Sequence, residues 1–210
     1  MLNFTISTNE LWQPENTGYV RYILSLLEAD PHTANILAMM DQKVVSICPL
    51  LAYLAMENNL ASYMELGVRR GFSMAMIAGR RPFCHLVGFD KWEADYGKAP
   101  NPGPDFVRTE LAKVGYIGKL ELITGDTVET LPQYKPKALF SLILVDADHT
   151  QEGVYKDILN AIHFLHPEGV MIVDDLQDKD VRAGFDRAVS LIRLAHWKQD
   201  RVGAIYFEPV

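Results

Sequence analysis

A basic excess, a cysteine framework, long apolar runs and internal repeats are all missing from this sequence. Twenty Lys and Arg stand against 27 Asp and Glu, a net charge of −7. Such a balance disfavours nucleic-acid phosphate, so no nucleic-acid partner is expected. The two cysteines, Cys48 and Cys84, have no metal-ligand spacing. They read as buried thiols in a reducing compartment. The most apolar stretch, Val44 to Met56, contains Pro49 and is shorter than the ~20 residues that cross a bilayer, so no membrane partner is expected. The opening MLNFTISTNELW lacks a basic segment followed by an apolar core. No secretory leader is expected, and the cytoplasm is the expected location. The nucleotide fingerprint G-x-G-x-x-G is missing too, which argues against a nicotinamide-dependent oxidoreductase.

What is present fits one domain with a full core: 210 residues, 49% hydrophobic. The stretch SYMELGVRRGFS, Ser62 to Ser73, organises the rest. Tyr63, Met64 and Leu66 end a buried strand, Gly67 and Gly71 make a turn, and a helix follows. Strand, glycine turn and helix form a place where backbone N–H groups face a ligand. Glu65 at the strand end argues against a diphosphate and suits an ammonium group.

Before this turn the pattern is helical. Residues 1–18 read as polar and irregular. Val20, Ile23, Leu24 and Leu27 are spaced for a helix over 19–29 that breaks at Asp30-Pro31. Two more helices are predicted over 32–47 and 49–58. After the turn, strands at 62–66, 85–90, 119–123, 141–146 and 169–174 alternate with helices at 72–80, 103–115, 127–131, 151–165 and 178–194. That rhythm predicts a parallel sheet covered on both faces. The segments 196–198 and 202–207 predict a closing hairpin that turns at 199–203.

Ligands of such sheets bind at the carboxyl ends of the strands. Here the ends carry acids: Glu65, Asp90, Asp126 after the third strand, Asp146, and Asp174-Asp175. Asp90 is placed to accept hydrogen bonds from a ribose diol. Asp146, Asp174 and Asp175 would repel each other without a cation, and oxygen donors select Mg²⁺ or Ca²⁺. His149 overlooks the same spot and suits a general base near neutral pH. Two readings stay open for Asp126 and Asp148, ligand contact or helix cap, and His149 has a backbone-bonding alternative. A metal-dependent hydrolase and a non-catalytic protein of the same fold are the rival functions.

The ordered set ELGVRRGFS, GFD, TGD, VDADH and VDDL, with its closing hairpin, resembles the class I S-adenosylmethionine-dependent methyltransferases. Within them it is most similar to metal-dependent small-molecule O-methyltransferases, of the catechol type and of the macrocin and cephamycin tailoring type. The resemblance covers about residues 60–208. It implies an α/β, Rossmann-like, doubly wound and mostly parallel seven-stranded sheet with an antiparallel C-terminal hairpin strand. Residues 1–59 would be a helical extension, a lid or a homo-oligomer surface, ahead of a cofactor-binding domain at 60–210. Glu65, Gly67, Gly71 and Ser73 would hold the methionine end of S-adenosylmethionine, and Asp90 its ribose. Gly125, Asp126 and Thr127 would border the adenine, with Asp146 also beside the cofactor. Asp146, Asp174 and Asp175 would hold Mg²⁺, and His149 would take a proton from a small-molecule hydroxyl acceptor. Trp12, Trp92 and Tyr96 are candidate walls for that acceptor.

Overall fold

Near-continuous burial along the central strands dictates the architecture. The computed structural model describes residues 8–28, 32–57, 60–94 and 100–208. The strands are β1 (Ser62–Leu66), β2 (His85–Asp90), β3 (Leu120–Thr124), β4 (Phe140–Val145), β5 (Leu165–Val173), β6 (Ala195–Gln199) and β7 (Val202–Tyr206). They form one seven-stranded sheet in the order β3-β2-β1-β4-β5-β7-β6. Strands β1 to β5 pair in parallel, and β7 runs antiparallel to both its neighbours. On β4, Leu142 and Leu144 face one core while Ile143 and Val145 face the other. Both faces are therefore apolar, and helices must cover both.

The helices are α1 (Thr8–Leu11), α2 (Pro14–Leu26), α3 (Thr33–Asp41), α4 (Ile47–Glu57), α5 (Phe72–Arg80), α6 (Pro104–Lys113), α7 (Thr127–Thr130), α8 (Gln151–Ala161) and α9 (Lys179–Leu191). One face of the sheet packs on α2, α4, α5 and α6, the other on α8 and α9. The N-terminal helices are built into the first core. Val20, Ile23, Leu24 and Leu27, the predicted apolar stripe, are all buried. Asn16 is fully buried, and its Nδ2 donates to Leu11 O at 3.0 Å and Pro49 O at 2.9 Å, tying α1 and α2 to α4. Tyr19 Oη donates to Met76 O at 3.1 Å, tying α2 to α5.

Several predicted boundaries move. Residues 8–18 are not irregular, because Pro14 opens α2 at the first helical position, where its missing N–H costs nothing. The helix predicted over 32–47 stops at Asp41. Lys43 takes a positive φ of 56° there, which turns the chain before α4 begins at Ile47. Pro49 then lies in the first turn of α4 rather than starting it. Strand β5 begins at Leu165, earlier than predicted, with a register shift against β4. The hairpin turn is only Asp200-Arg201, and Asp200 has φ 51°. The predicted break at Asp30-Pro31 lies outside the described residues.

Candidate active site

Strand order reverses between β1 and β4, since β2 and β3 lie on one side of β1 and β5 on the other. The carboxyl ends of such strands splay apart and leave a crevice. Gly67 sits at that point. Its N–H donates to Phe89 O at 2.8 Å, and Asp146 N donates to Leu66 O at 2.9 Å, so the ends of β1, β2 and β4 are held together. A Cβ on Gly67 would lie 2.0 Å from Asp146 O, and φ is +88°. Only glycine fits there. Gly71 takes φ 77° as the N-cap of α5.

Two clefts adjoin at this crevice. The first, about 400 Å³, runs along the ends of β2 and β3 and is lined by Phe89, Asp90, Asn101, Gly125 and Thr127. The second, about 570 Å³, opens between α3 and the ends of β4 and β5, with Ser73, Asp146, Asp174 and Asp175 in its walls. Gly67, Arg69 and His149 border both. Volumes of this order hold small molecules.

In the first cleft, Asp90 Oδ2 accepts from Arg69 N at 2.7 Å, and Oδ1 accepts from Trp92 N at 2.5 Å and Asn101 Nδ2 at 3.3 Å. These bonds fix the carboxylate in the wall. Asp126 is a helix cap: its Oδ1 accepts from Val128 N at 2.9 Å, and Lys91 Nζ lies 2.8 Å from Oδ2. Asp148 and Thr150 build the start of α8. Thr150 N donates to Asp148 Oδ1 at 2.7 Å and Gly153 N to Thr150 Oγ1 at 3.0 Å. His149 is thereby held between them at the junction of the clefts.

Glu65 stands behind the second cleft. It is fully buried, and its carboxyl accepts from Tyr63 Oη at 2.8 Å and from Ser73 Oγ. Burial pushes its pKa up to about 8, against the pull of those two hydroxyls. The folded protein therefore favours protonated Glu65, and this contribution is full below the ordinary glutamate pKa of 4.5 and lost as pH rises through about 8. Glu65→Gln is expected to flatten that part of the stability profile by on the order of a few kcal/mol. Urea denaturation of both proteins between acid and mildly alkaline pH checks it. Parallel profiles would assign the decline to other groups.

At the end of β5, Asp175 adopts φ 60°, so two consecutive acids reach the same rim. His149 Nε2 lies 3.7 Å from Asp146 Oδ1 and 3.4 Å from Asp175 Oδ2. One donor atom from each of Asp146, His149 and Asp175 falls within 4.8 Å of the others, a grouping that could hold a metal ion. Asp174 lines the same cleft and pairs with Arg201. Like charges ~5 Å apart repel by about 3 kcal/mol at an effective dielectric of ~20, so the rim needs positive charge. Asp146 raises the His149 pKa, with burial opposing, while burial and then Asp146 push the Asp174 carboxyl up.

The structure thus gathers Gly67, Ser73, Asp90, Gly125, Thr127, Asp146, His149, Asp174 and Asp175 around the two clefts, and gives Glu65, Gly71 and Asp126 supporting places behind the walls. Trp12 and Trp92 are partly buried against the first core and are not among the residues lining these two clefts, and α3 contributes to the wall of the second. Tyr96 lies outside the described residues. Arg69, Lys91, Asn101 and Arg201 were not picked from sequence. Asn101 and Arg201 sit in loops without a motif, though the doubled arginine beside Gly71 was a signal for Arg69.

The family model Methyltransf_24, a methyltransferase domain, matches residues 64–176, from the third residue of β1 past the acids at the end of β5. The chain belongs to this methyltransferase family. Among curated proteins it is similar to the O-methyltransferase ankF of Aspergillus thermomutatus, 27% identical over 133 residues. That match takes in 61% of the chain, which spans about half the length of the relative, 52%. The methyltransferase also shares its fold with solved structures. TomG of Streptomyces achromogenes, an O-methyltransferase of tomaymycin synthesis in complex with S-adenosylmethionine, superposes with a TM-score of 0.61 at 19% identity, covering 97% of this chain and 100% of TomG. CalS11, a TDP-rhamnose 3′-O-methyltransferase of calicheamicin biosynthesis, gives 0.60 at 18% identity, covering 94% and 96%. The Rossmann-like sheet with its one reversed strand is the shared fold.

Proposed function

We propose that this methyltransferase transfers the methyl group of S-adenosylmethionine to a hydroxyl of a small-molecule acceptor of natural-product or catechol-like type. The observation that carries the reading is the meeting of the two clefts at Gly67 and His149. A nucleoside lies in the first cleft, its ribose diol on Asp90 and its adenine by Gly125 and Thr127. The methionine end passes over Gly67 toward Ser73. The acceptor occupies the second cleft, under α3. Family membership and the names of ankF, TomG and CalS11 support methyl transfer to oxygen.

Methyl transfer is an in-line displacement. The acceptor oxygen gives its proton to His149, attacks the methyl carbon, and the carbon–sulfur bond breaks to leave S-adenosylhomocysteine. His149 Nε2 faces the second cleft at the junction, where neutral imidazole accepts that proton. Holding both reactants in register supplies several kcal/mol of the barrier lowering. The carboxylates of Asp146 and Asp175 suit a hard divalent ion such as Mg²⁺, with His149 beside them as the base. When bound, the ion would acidify the acceptor hydroxyl. Buried free thiols at Cys48 and Cys84 support a cytoplasmic setting. Among the described residues no helix is long and apolar enough to cross a membrane.

Calorimetry with S-adenosylhomocysteine tests the cofactor reading. Binding is expected, and Asp90→Asn should weaken it by roughly 1–3 kcal/mol, since charged hydrogen bonds to the ribose are lost. Circular dichroism controls for the turn that Asp90 also supports. No heat at millimolar ligand would sink the reading. Unchanged affinity in the variant would put the ribose elsewhere.

A further inference from the structure

The acids at the end of β5 already hold a cation that belongs to the chain. Arg201, in the β6–β7 turn, places Nε 3.1 Å from Asp174 Oδ1 and Nη2 3.3 Å from Asp174 Oδ2. The same Nη2 donates to Asp175 Oδ1. The contact is anchored on several sides. Leu176 N donates to Arg201 O at 2.8 Å, and Nη1 rests 3.1 Å from Met39 Sδ on α3. The neighbouring Asp200 accepts at Oδ2 from Val45 N at 2.8 Å, just before α4. The Arg201 side chain is 21% exposed and Asp174 only 5%.

Asp175 is therefore divided. Its Oδ1 serves Arg201, and its Oδ2 faces His149 and Asp146. A planar guanidinium matches carboxylates in a fork, and once seated it gives up those bonds only to a stronger partner. A divalent ion drawing on both oxygens of Asp175 meets that resistance.

We propose that Arg201 is a built-in competitor for the divalent cation: guanidinium and ion contend for Asp175, and Arg201 keeps the rim neutralised while no ion is bound. The inference rests on the proposed cation site at Asp146 and Asp175, beside His149. It also ties ion binding to the hairpin turn and, through Met39 and Val45, to the N-terminal helices that wall the second cleft.

Direct Mn²⁺ binding to the full chain, read by the electron paramagnetic resonance signal of the free ion, tests it without any acceptor. Wild type, Arg201→Lys and Arg201→Gln are compared. Lysine keeps the charge but cannot fork across two carboxylates, and glutamine removes the charge. Affinity is expected to rise in that order, by about 10- to 100-fold for glutamine, since breaking charge-assisted hydrogen bonds no longer opposes the ion. Arg201→Gln leaves Asp174 buried without its cation, so if that variant fails to fold, the comparison of lysine with wild type decides. Equal Mn²⁺ affinity in all folded proteins would overturn the competition while leaving the cation site. Weaker binding in the variants would also overturn it, by showing that Arg201 supports the ion. No Mn²⁺ binding to any of them would remove the cation site and this inference together.

Discussion

Replacement of His149 by alanine is expected to lower turnover about 10²- to 10⁴-fold, with S-adenosylhomocysteine affinity unchanged. The imidazole stands where the two clefts meet, and a lost general base costs a factor of this size. Its pH dependence has a defined sign. Asp146 stabilises the protonated ring and so raises its pKa above 6.5. Only the neutral ring accepts a proton, so the rate should rise with pH through that ionisation and fall as acid protonates the ring. The alanine variant should lose that limb. Single-turnover rates across pH, measured beside Mn²⁺ affinity, separate two roles. A rate loss with unchanged ion binding marks a base. A rate loss matched by an equal loss of ion affinity marks His149 as a ligand of the cation. A small change in both would show that the ring only packs between Asp148 and Thr150.

Among the glycines of the described residues, Gly67→Ala should be the most damaging added methyl group. The added carbon would sit 2.0 Å from Asp146 O and 2.6 Å from Asp146 C, and both are backbone atoms that no rotamer change can move. The left-handed φ adds strain of about 1 kcal/mol for any L residue. Together with overpacking, the expected loss is about 3 kcal/mol or more, a fall in melting temperature of roughly 6–12 °C. Gly103→Ala is the control. Its φ is also positive, +90°, but nothing lies within 4 Å of the new carbon. It should show the backbone cost alone. Urea denaturation of both variants decides, and equal losses would mean that the contact with Asp146 relaxes freely. If instead the β1 and β4 ends are forced apart, S-adenosylhomocysteine binding should fall with stability in Gly67→Ala and not in Gly103→Ala.

The sequence by itself determined the layers and the order of the chemistry. Apolar strands separated by helical periods can only be buried on both faces, so the parallel sheet followed from composition along the chain. Gly67 was legible because a turn straight after a buried strand needs the conformational freedom of glycine. Asp90, Asp146, Asp174 and Asp175 were legible because each closes an apolar run, and a strand end fixes where an acid must lie. His149 followed from its place three residues after Asp146.

What the tertiary structure decided is how those acids are used. Sequence grouped Asp146 with Asp174 and Asp175 as three equal ligands. The fold sets Asp146 and Asp175 beside His149 and pairs both Asp174 and Asp175 with Arg201. Arg201 comes from the far end of the chain, 26 positions after Asp175, in a two-residue turn with no motif. Nothing local marks such a residue, because its partner is chosen by the antiparallel pairing of β7 with β5. Glu65 shows the same division. Its position was readable, but its burial against Tyr63 and Ser73, and the raised pKa that follows, come from helix α5 packing over the end of β1. Spacing along a chain sets which side chains reach a rim, whereas charge pairing and desolvation belong to the neighbours that packing brings.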